Sequence, residues 1–346
     1  LTSGHWRMNV LVLLAIPLFI MAGTIMERGK IAQPLVELAE LFVGRFKGGI
    51  AYAAVGASAV FGSIAGSATA TLTCIGSIMM PQLRKANYPE GLSAALITNA
   101  APLGLLIPPS AIQIIYAWVT RQSVLKCFLA TIVPGLILVM LLCIVNFIML
   151  RKYKDIKVLP PSDDFKGDVI KKGRFALPAL FMPFMILGGI YGGIMTPTEA
   201  AAVAVIYAVP VGFLIYKGLD WKTLLGAGKE ASTSVGAIML MILFSMILSQ
   251  MFVLESVPQA LVESIFSITE DKTILLILIN ILLFLVGMVV NDVTAIILIA
   301  PLLLPLMEAI GVSPIQFAAI MGVNTAMGGV TPPYASILYL GARIGK

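Results

Sequence analysis

Long apolar stretches separated by short polar segments run through almost the whole chain and predict a bundle of membrane-spanning helices. A helix needs about 20 apolar residues to cross the hydrocarbon core of a bilayer. The apolar stretches are continuous and do not alternate with polar residues one by one, which argues against the strands of a transmembrane β-barrel. The stretches predicted as spans lie at about 8–26, 91–120, 123–150, 175–194, 197–216, 231–254 and 314–344.

Two further apolar pairs are each divided by a small, polar tip. The first tip, Gly62 to Thr71, is a run of small and hydroxyl-bearing residues between the apolar arms 50–61 and 72–80. The second tip is Asn291-Asp292-Val293. Backbone at membrane depth needs protein, water or an ion as a partner, so each pair predicts a re-entrant helical hairpin with a functional tip. For the first tip, close helix packing by small residues is the alternative.

Two of the predicted spans are interrupted in the middle. The stretch 91–120 contains Pro108-Pro109, and 314–344 contains Pro332-Pro333. Proline lacks the backbone N–H that continues a helix, so both stretches are predicted to be broken transmembrane helices. Amphipathic interfacial helices are predicted before each hairpin, at 28–47 and 255–272.

The two ends of the chain match each other at a nearly constant offset of 225 residues, because Gly62 corresponds to Gly287 and Asn99 to Asn324. The two proline pairs also correspond, after a slip of one residue. We therefore predict an internal repeat. The predicted divisions are a first repeat over 1–120, connecting spans over 121–196 with a basic loop at 151–174, and a second repeat over 197–346.

Loop charge gives the orientation of the repeats. The segment 151–174 carries eight Lys and Arg against four Asp, and the positive-inside rule places it in the cytoplasm. The matching spans 8–26 and 231–254 are the first and sixth predicted crossings, so they run in opposite directions. The first hairpin then opens toward the cytoplasm and the second toward the outer side. This inverted-topology repeat predicts a binding site near the bilayer midplane.

The composition narrows the function classes further. With 59% apolar and 12% charged residues, the chain is not an ordinary soluble protein. A nucleic-acid partner is not expected in a chain this hydrophobic, in spite of its net charge of +6. His5 is the single histidine and the three cysteines lack metal-ligand spacing, so no His-based metal site or catalytic triad is predicted.

The tips and breaks predict ion and substrate chemistry. A broken helix exposes N–H groups that favour anions and carbonyls that, with Ser, Thr and Asn oxygens, favour a hard cation. The predicted cation-binding residues are Ser63, Gly66, Ser67, Thr69, Asn99 and Gly104 in the first half and Asn291, Asp292, Thr294, Asn324, Gly328 and Thr331 in the second. The predicted substrate-binding residues are Ser67, Pro108, Pro109, Asp292, Pro332 and Pro333.

Asp292 is the ionisable residue predicted to lie at a tip inside the membrane. A carboxylate there is costly unless it is paired, so a functional role is the default hypothesis. The alternative is that Asp292 caps the returning half-helix. Elsewhere, Thr196-Pro197-Thr198-Glu199 predicts a helix start rather than a site, with Pro in the first helical position.

Several motifs resemble the large membrane subunit, the DctM-like component, of the tripartite ATP-independent periplasmic (TRAP) transporters. They are LLAIPLFIMAG at 13–23, FGSIAGSATAT at 61–71, LGLLIPPS at 103–110, GGIMTPTEAAAVAVIYA at 192–208 and TPPYAS at 331–336. The resemblance covers nearly the whole chain in the right order. It departs from the family at the second tip, where many members have a proline, and it implies that the chain lacks segments at both ends.

The resemblance implies a multi-pass protein of the bacterial inner membrane, working as a sodium-driven elevator of the wider ion-transporter group. It also implies that Na⁺ and substrate bind at the tips and breaks. The implied partners are a small membrane subunit and a periplasmic binding protein that delivers an organic acid.

Two other functions stay open from the residues. A stand-alone sodium/carboxylate symporter would need no binding protein. An intramembrane enzyme would need reacting groups within hydrogen-bond reach, which a lone Asp292 does not supply, so we predict that the chain is not an enzyme.

Overall fold

The computed structural model describes residues 12–153, 155–158, 164–266 and 271–345, and all regular secondary structure in these ranges is helical. His5, the start of the first predicted span and part of the basic loop lie outside the described residues. The helices of the first half are α1 (Ala15–Arg28), α2 (Gln33–Val43), α3 (Gly49–Ala65), α4 (Ala68–Lys85), α5 (Glu90–Ala100), α6 (Leu103–Leu106) and α7 (Ala111–Val119).

The remaining helices connect the halves and build the second one. The connecting helices are α8 (Val124–Leu150) and α9 (Phe165–Tyr191). The helices of the second half are α10 (Pro197–Pro210, continued by a π-helical turn over Val211–Ile215), α11 (Trp221–Leu254), α12 (Val257–Phe266), α13 (Lys272–Val289), α14 (Asp292–Ala309), α15 (Pro314–Gly328) and α16 (Ser336–Ile344).

Both predicted hairpins and both predicted breaks are present, which confirms the fold class. Helices α3 and α4 form the first hairpin, and α13 and α14 the second. The helix from Glu90 to Leu106 and α7 are bent by 41° at the first break. Six helices in the described ranges are long and apolar enough to cross a membrane, or seven if the bent pair is one span. The arms α13 and α14 are among the six by length and composition.

The two halves pack in the same way. In the first half the leading arm α3 packs on α5 and α6, and in the second half the leading arm α13 packs on α15. The returning arms exchange partners, because α4 packs on α16 and α14 packs on α7. Between the hairpins lie the first broken helix, α8, α9, α10 and α11. This odd number of crossings turns the second hairpin around relative to the first, as the inverted repeat requires.

Large apolar side chains are exposed on the outer faces of several helices, α8 and α11 among them. Both expose large apolar side chains, such as Val133 and Leu136 on α8 and Leu243 and Phe244 on α11. A helix that is apolar on the outside of a bundle is typical of contact with lipid tails.

Two helix boundaries differ from the sequence prediction. Helix α11 begins at Trp221 and not near 231, because the Asp220 side chain caps it by accepting a hydrogen bond from the Thr223 N–H at 2.6 Å. Helix α9 begins at Phe165 and not near 175, with Asp164 accepting from the Gly167 N–H at 3.0 Å. The residues from 221 to 230, which the sequence prediction left outside the span at 231–254, are therefore the start of α11.

The predicted helix start at Thr196 is confirmed. Thr196 and Glu199 form a capping box, in which the Glu199 N–H donates to Thr196 Oγ1 at 3.3 Å and the Thr196 N–H donates to Glu199 Oε2 at 2.8 Å. This arrangement satisfies N–H groups that the first turn of α10 leaves without helical partners.

Candidate functional site

The two hairpin tips meet at one cavity of about 170 Å³ inside the bundle. Residues of both breaks complete its wall, together with apolar side chains of α1 and α11. The residues that line it are Ile20, Gly66, Ser67, Ala68, Thr69, Leu105, Ala111, Ile112, Ile238, Met241, Gly287, Val290, Asn291, Asp292, Val293, Thr325, Gly329, Tyr334, Ser336 and Ile337.

The first tip turns at Gly66, which has the left-handed φ of +60° that glycine adopts without strain. Its carbonyl accepts a hydrogen bond from the Ala111 N–H at 3.3 Å, so the tip is fixed to the start of α7. Ser67 caps α4, and its hydroxyl lies 3.0 Å from the hydroxyl of Thr69. Two hydroxyl oxygens therefore stand side by side at the cavity.

The second tip has a different capping pattern from the one considered above. Asn291 is the cap of α14, and its side chain accepts from the Val293 N–H at 3.0 Å. Asp292 is the first residue inside the helix, with its Oδ1 accepting from the same N–H at 2.9 Å. The Met288 carbonyl accepts from the Tyr334 N–H at 2.9 Å, which fixes this tip just before α16.

Four helices begin at the cavity. The first residues or caps of α4, α7, α14 and α16 all line it, represented by Ser67, Ala111, Asp292 and Ser336. The first N–H groups of a helix have no partner within the helix and carry its positive dipole end. The cavity is thus surrounded by positive backbone dipoles. Its described lining contains one carboxylate, Asp292, and no Lys, Arg or His.

Glycine contacts hold each hairpin against the break of its own half. A Cβ atom added to Gly62 would lie 2.7 Å from the Gly104 Cα, and one added to Gly287 would lie 3.2 Å from the Gly328 Cα. The absence of side chains lets the leading arm and the broken helix touch through their backbones. Equivalent glycines of the two halves make this contact.

The structure brings five of the predicted residues to the cavity wall: Gly66, Ser67, Thr69, Asn291 and Asp292. Gly104 and Gly328 form the glycine contacts, and the Pro109 carbonyl lies where a Cβ on Gly66 would approach it to 3.0 Å. Pro108-Pro109 and Pro332-Pro333 are both cis peptides. The predicted residues that lie outside the wall are Ser63, Asn99, Gly104, Pro108, Pro109, Thr294, Asn324, Gly328, Thr331, Pro332 and Pro333.

Several of the side chains predicted as oxygen ligands already form hydrogen bonds within the protein. The Ser63 hydroxyl donates to the Val60 carbonyl at 2.7 Å, and the Thr331 hydroxyl donates to the Met327 carbonyl at 3.0 Å. The Asn324 amide donates to Asn280 Oδ1 on α13 at 2.9 Å. The Asn99 amide donates to the carbonyl of Ala95, one turn earlier in its own helix.

The sequence prediction missed part of the cavity wall. Thr325, Tyr334 and Ser336 line it; the first two directly follow the predicted residues Asn324 and Pro333, and Ser336 lies three residues after Pro333. Their neighbourhood was therefore a usable signal. Ile20 on α1 and Met241 on α11 also line the cavity, but an apolar residue in a span carries no signal of this kind.

The oxygen-rich tips suit an alkali or similarly hard cation better than a transition metal. Within the described residues no group of three or more His, Cys, Asp and Glu could hold a metal ion. Hydroxyls, amides, backbone carbonyls and a single carboxylate are instead the ligands of hard cations, and half-helix ends coordinate Na⁺ in transporters.

A polytopic helical bundle with two hairpin tips and two helix breaks around one internal cavity defines a secondary-transporter fold. The family described as "Tripartite ATP-independent periplasmic transporter, DctM component" matches residues 3–346. The chain belongs to this family, and it is a multi-pass protein of the bacterial inner membrane with a transport role and no enzymatic one.

Curated relatives agree with this membership. The C4-dicarboxylate TRAP transporter large permease protein DctM of Pseudomonas aeruginosa is 35% identical over 350 residues, covering 99% of this chain and 78% of that protein. The ectoine TRAP transporter large permease protein TeaC of Halomonas elongata is 32% identical over 335 residues, covering 96% of this chain and 78% of that protein. The uncharacterized protein YgiK of Salmonella typhimurium is 36% identical over 336 residues, covering 96% of this chain and 76% of that protein.

A solved structure supports the fold alone. The YdaH transporter of Alcanivorax borkumensis, whose crystal structure is described as having an unusual topology, superposes with a TM-score of 0.64 at 14% sequence identity. The match covers 96% of this chain and 77% of that one.

Proposed function

We propose that the chain is the transport subunit of a sodium-coupled secondary transporter that imports a small organic acid. The observation that carries the proposal is the convergence of four helix N-termini on one cavity between the two hairpin tips. Positive dipole ends attract an anionic group without a cationic side chain. The relative that carries a C4-dicarboxylate name supports a carboxylate as that anion.

Na⁺ is the proposed co-transported ion, bound at the tips beside the substrate. At the first tip the ligands are the paired hydroxyls of Ser67 and Thr69 with the backbone near Gly66. At the second tip they are Asn291 and Asp292. An anionic substrate and Asp292 in one small cavity repel each other, and a bound cation offsets that repulsion. Binding of the acid and of Na⁺ is therefore expected to be mutually favourable.

The remaining residues of the predicted site are proposed as supports of the two ion sites and of the substrate site between them. Gly104 and Gly328 permit the close approach of hairpin and break, while the two proline pairs shape the breaks. Ser63, Asn99, Thr294, Asn324 and Thr331 lie outside the cavity wall and stay proposed cation ligands, whose oxygens would have to turn toward the cavity.

An elevator motion is the proposed mechanism. The hairpins and broken helices form a unit around the cavity, and this unit would carry the substrate across the membrane against α1 and α11, which contribute Ile20, Ile238 and Met241 to the wall. The proposed partners are a small membrane subunit that supports the static part and a periplasmic binding protein that delivers the acid.

Reconstitution tests the proposal. Liposomes containing the chain and the small subunit are given an inward Na⁺ gradient, the cognate periplasmic binding protein and labelled organic acids. We expect uptake only when gradient and binding protein are both present. Uptake that needs no binding protein would replace this proposal with a stand-alone sodium/carboxylate symporter. Uptake that persists without Na⁺ would overturn the sodium coupling.

A further inference from the structure

A second, basic pocket lies far from the tips, where the end of α1 meets the start of α11. It has a volume of about 450 Å³ and is lined by Arg28, Lys222, Thr223, Leu225, Gly226 and Lys229, which we call the basic corner pocket. The transport mechanism proposed above uses none of these residues. Lys222, Gly226 and Lys229 fall on one face of α11 because they are spaced by about one helical turn.

Arg28 is held in a fixed position in this pocket. Its Nε and Nη2 donate to Glu230 Oε2 at 3.0 and 2.7 Å. Its Nη1 lies over Gly226, where an added Cβ would approach it to 2.8 Å. Glu230 thus occupies one edge of the guanidinium and leaves Nη1 directed into the pocket.

The charge around the pocket is predominantly positive. Lys222 and Lys229 are exposed and form no ion pair with any other residue that the structure describes. Backbone contact between Gly29 and Gly218 brings exposed Lys30 and Lys217 to the same corner.

The acidic side chains near the pocket already have partners or lie beside Arg28 at the margin of the pocket. Glu230 pairs with Arg28, and Asp220 caps α11. The hydrogen bonds from the side chain and backbone of Thr223 hold the pKa of Asp220 below its usual value, so this carboxylate stays charged as a cap and offsets one of the cations. Glu27, which lies close enough to Arg28 and Glu230 to interact with both charges, adds a third acidic group. The five cations of the corner still outnumber these three carboxylates.

The pocket lies at the level of the membrane interface on the cytoplasmic side. Helices α9 and α10 are two crossings between the basic loop and the start of α11, so both lie on the same side of the membrane. Trp221, which is 75% exposed and in ring contact with Phe213, is the residue type that marks this interface. Leu225, one helical turn further along α11, is 66% exposed and offers an apolar surface beside the pocket.

We propose that the basic corner pocket binds the headgroup of an anionic phospholipid of the cytoplasmic leaflet. Its phosphodiester would lie among Lys222, Lys229 and Nη1 of Arg28, and the first part of its acyl chains would lie against Leu225. Basic pockets between transmembrane helices on the cytoplasmic side have the charge and depth for such headgroups. Occupancy would fasten α1 to α11, the two helices that form the wall of the transport cavity opposite the hairpins.

Native mass spectrometry of the purified full chain tests this site with dioleoyl phosphatidylglycerol and, as the zwitterionic comparison, dioleoyl phosphatidylethanolamine. We expect retention of phosphatidylglycerol over phosphatidylethanolamine. The double variant Lys222→Gln/Lys229→Gln should weaken the anionic lipid by about thirty-fold. The matched variant Lys166→Gln/Lys171→Gln removes the same charge from the start of α9 and should leave retention unchanged. Equal losses in the two double variants would overturn the site in favour of diffuse surface charge.

A charge-neutral pair of variants makes the test sharper. Gly226→Ala places a methyl group against Nη1 of Arg28, which must shift, while the net charge and the helix are retained. Gly236→Ala is the control, because nothing lies within 4 Å of a Cβ at that position of the same helix. Selective loss of phosphatidylglycerol in Gly226→Ala supports the pocket, and identical retention in both variants contradicts it.

Two competition experiments identify the source of the phosphate. Displacement of the lipid by inorganic phosphate at millimolar concentration would show a site for free anions and overturn the lipid assignment. Loss of wild-type lipid retention on addition of the small membrane subunit would show that a protein covers this corner instead. Retention through both additions supports the lipid.

Discussion

The Gly66 carbonyl accepts a hydrogen bond from the Ala111 N–H at 3.3 Å, which ties the first hairpin tip to the half-helix that follows the first break. Met288 and Tyr334 make the corresponding bond at 2.9 Å in the second half. Each tip is therefore bonded at or just before the beginning of the half-helix beside which its proposed ion and substrate ligands lie. A tip cannot move without disturbing the start of that helix.

The contact between Gly62 and Gly104 predicts a severe effect of one methyl group. In Gly62→Ala the new Cβ would lie 2.7 Å from the Gly104 Cα, and because this neighbour is backbone the arm itself must shift. We expect a loss of about 1–3 kcal/mol in stability and loss of uptake. Gly287→Ala should be milder, since its closest neighbour would be 3.0 Å away. Thermal unfolding in detergent and uptake by proteoliposomes measure both effects.

The control for this pair is Gly56→Ala on the same arm, where nothing lies within 4 Å of an added Cβ. Normal uptake is expected there. Normal uptake by Gly62→Ala as well would mean that the backbone contact is not needed for transport.

A substitution at Gly66, compared with one at another glycine of positive φ, distinguishes the effect of backbone strain on transport from the effect of blocking the site. Gly66→Leu adds a side chain at φ +60° next to the Pro109 carbonyl, and we expect it to abolish uptake while membrane insertion is retained. Gly193→Leu imposes similar strain at φ +69° in open space, so it should transport normally with a small loss of stability. Wild-type transport by Gly66→Leu would remove the first tip from the mechanism.

The proposed role of Asp292 as a sodium ligand predicts how its substitution changes the sodium dependence of transport. Asp292→Asn keeps the size of the side chain but removes its charge, so the Na⁺ concentration for half-maximal uptake should rise by about tenfold or more. Uptake titrated against Na⁺ at saturating acid measures this. Glu263→Gln, which neutralises an exposed carboxylate on α12, is the control and should leave the titration unchanged. An unaltered Na⁺ requirement in Asp292→Asn would contradict the proposed ligand.

Variants of the hydrogen-bonded pair Asn280 and Asn324 test whether Asn324 clamps two helices together or binds the ion directly. It joins the leading arm of the second hairpin to its broken helix at 2.9 Å. If Asn324 acts as a clamp, replacing either residue by Val should raise the Na⁺ requirement similarly, and the double variant should add little. Coupling of about 0.6 kcal/mol is typical for such bonds between membrane helices. A much larger Na⁺ effect for Asn324→Val than for Asn280→Val would favour direct ligation after a change of rotamer.

Much of the fold followed from the sequence because its functional elements interrupt a simple hydrophobic pattern. The tips and proline pairs are polar or helix-breaking inside apolar stretches, and the offset between Gly62 and Gly287 paired them. The starts of α9 and α11 could not be placed in the same way. Their first turns carry charges such as Lys166 and Lys222 that resemble a loop, while the decisive signal was a single capping aspartate in each case.

The site was only partly predictable for a related reason. Small and polar residues mark the tips in the sequence, and five of them line the cavity. The exchange of partners between returning arms, with α4 on α16 and α14 on α7, depends on the tertiary arrangement of both halves. The same arrangement brings Ile20 and Met241 to the wall and turns Asn324 toward Asn280, and no local pattern encodes either outcome.

The four helix starts around the cavity have an evolutionary consequence. Their attraction for an anion comes from peptide groups, which every sequence possesses and which do not titrate near neutral pH. Point substitutions can therefore reshape the wall, for example at Tyr334 or Ile112, without removing the positive potential that the helix starts create in the cavity. Substrate preference is free to diverge among relatives while the capacity to hold an acid is inherited with the chain's geometry.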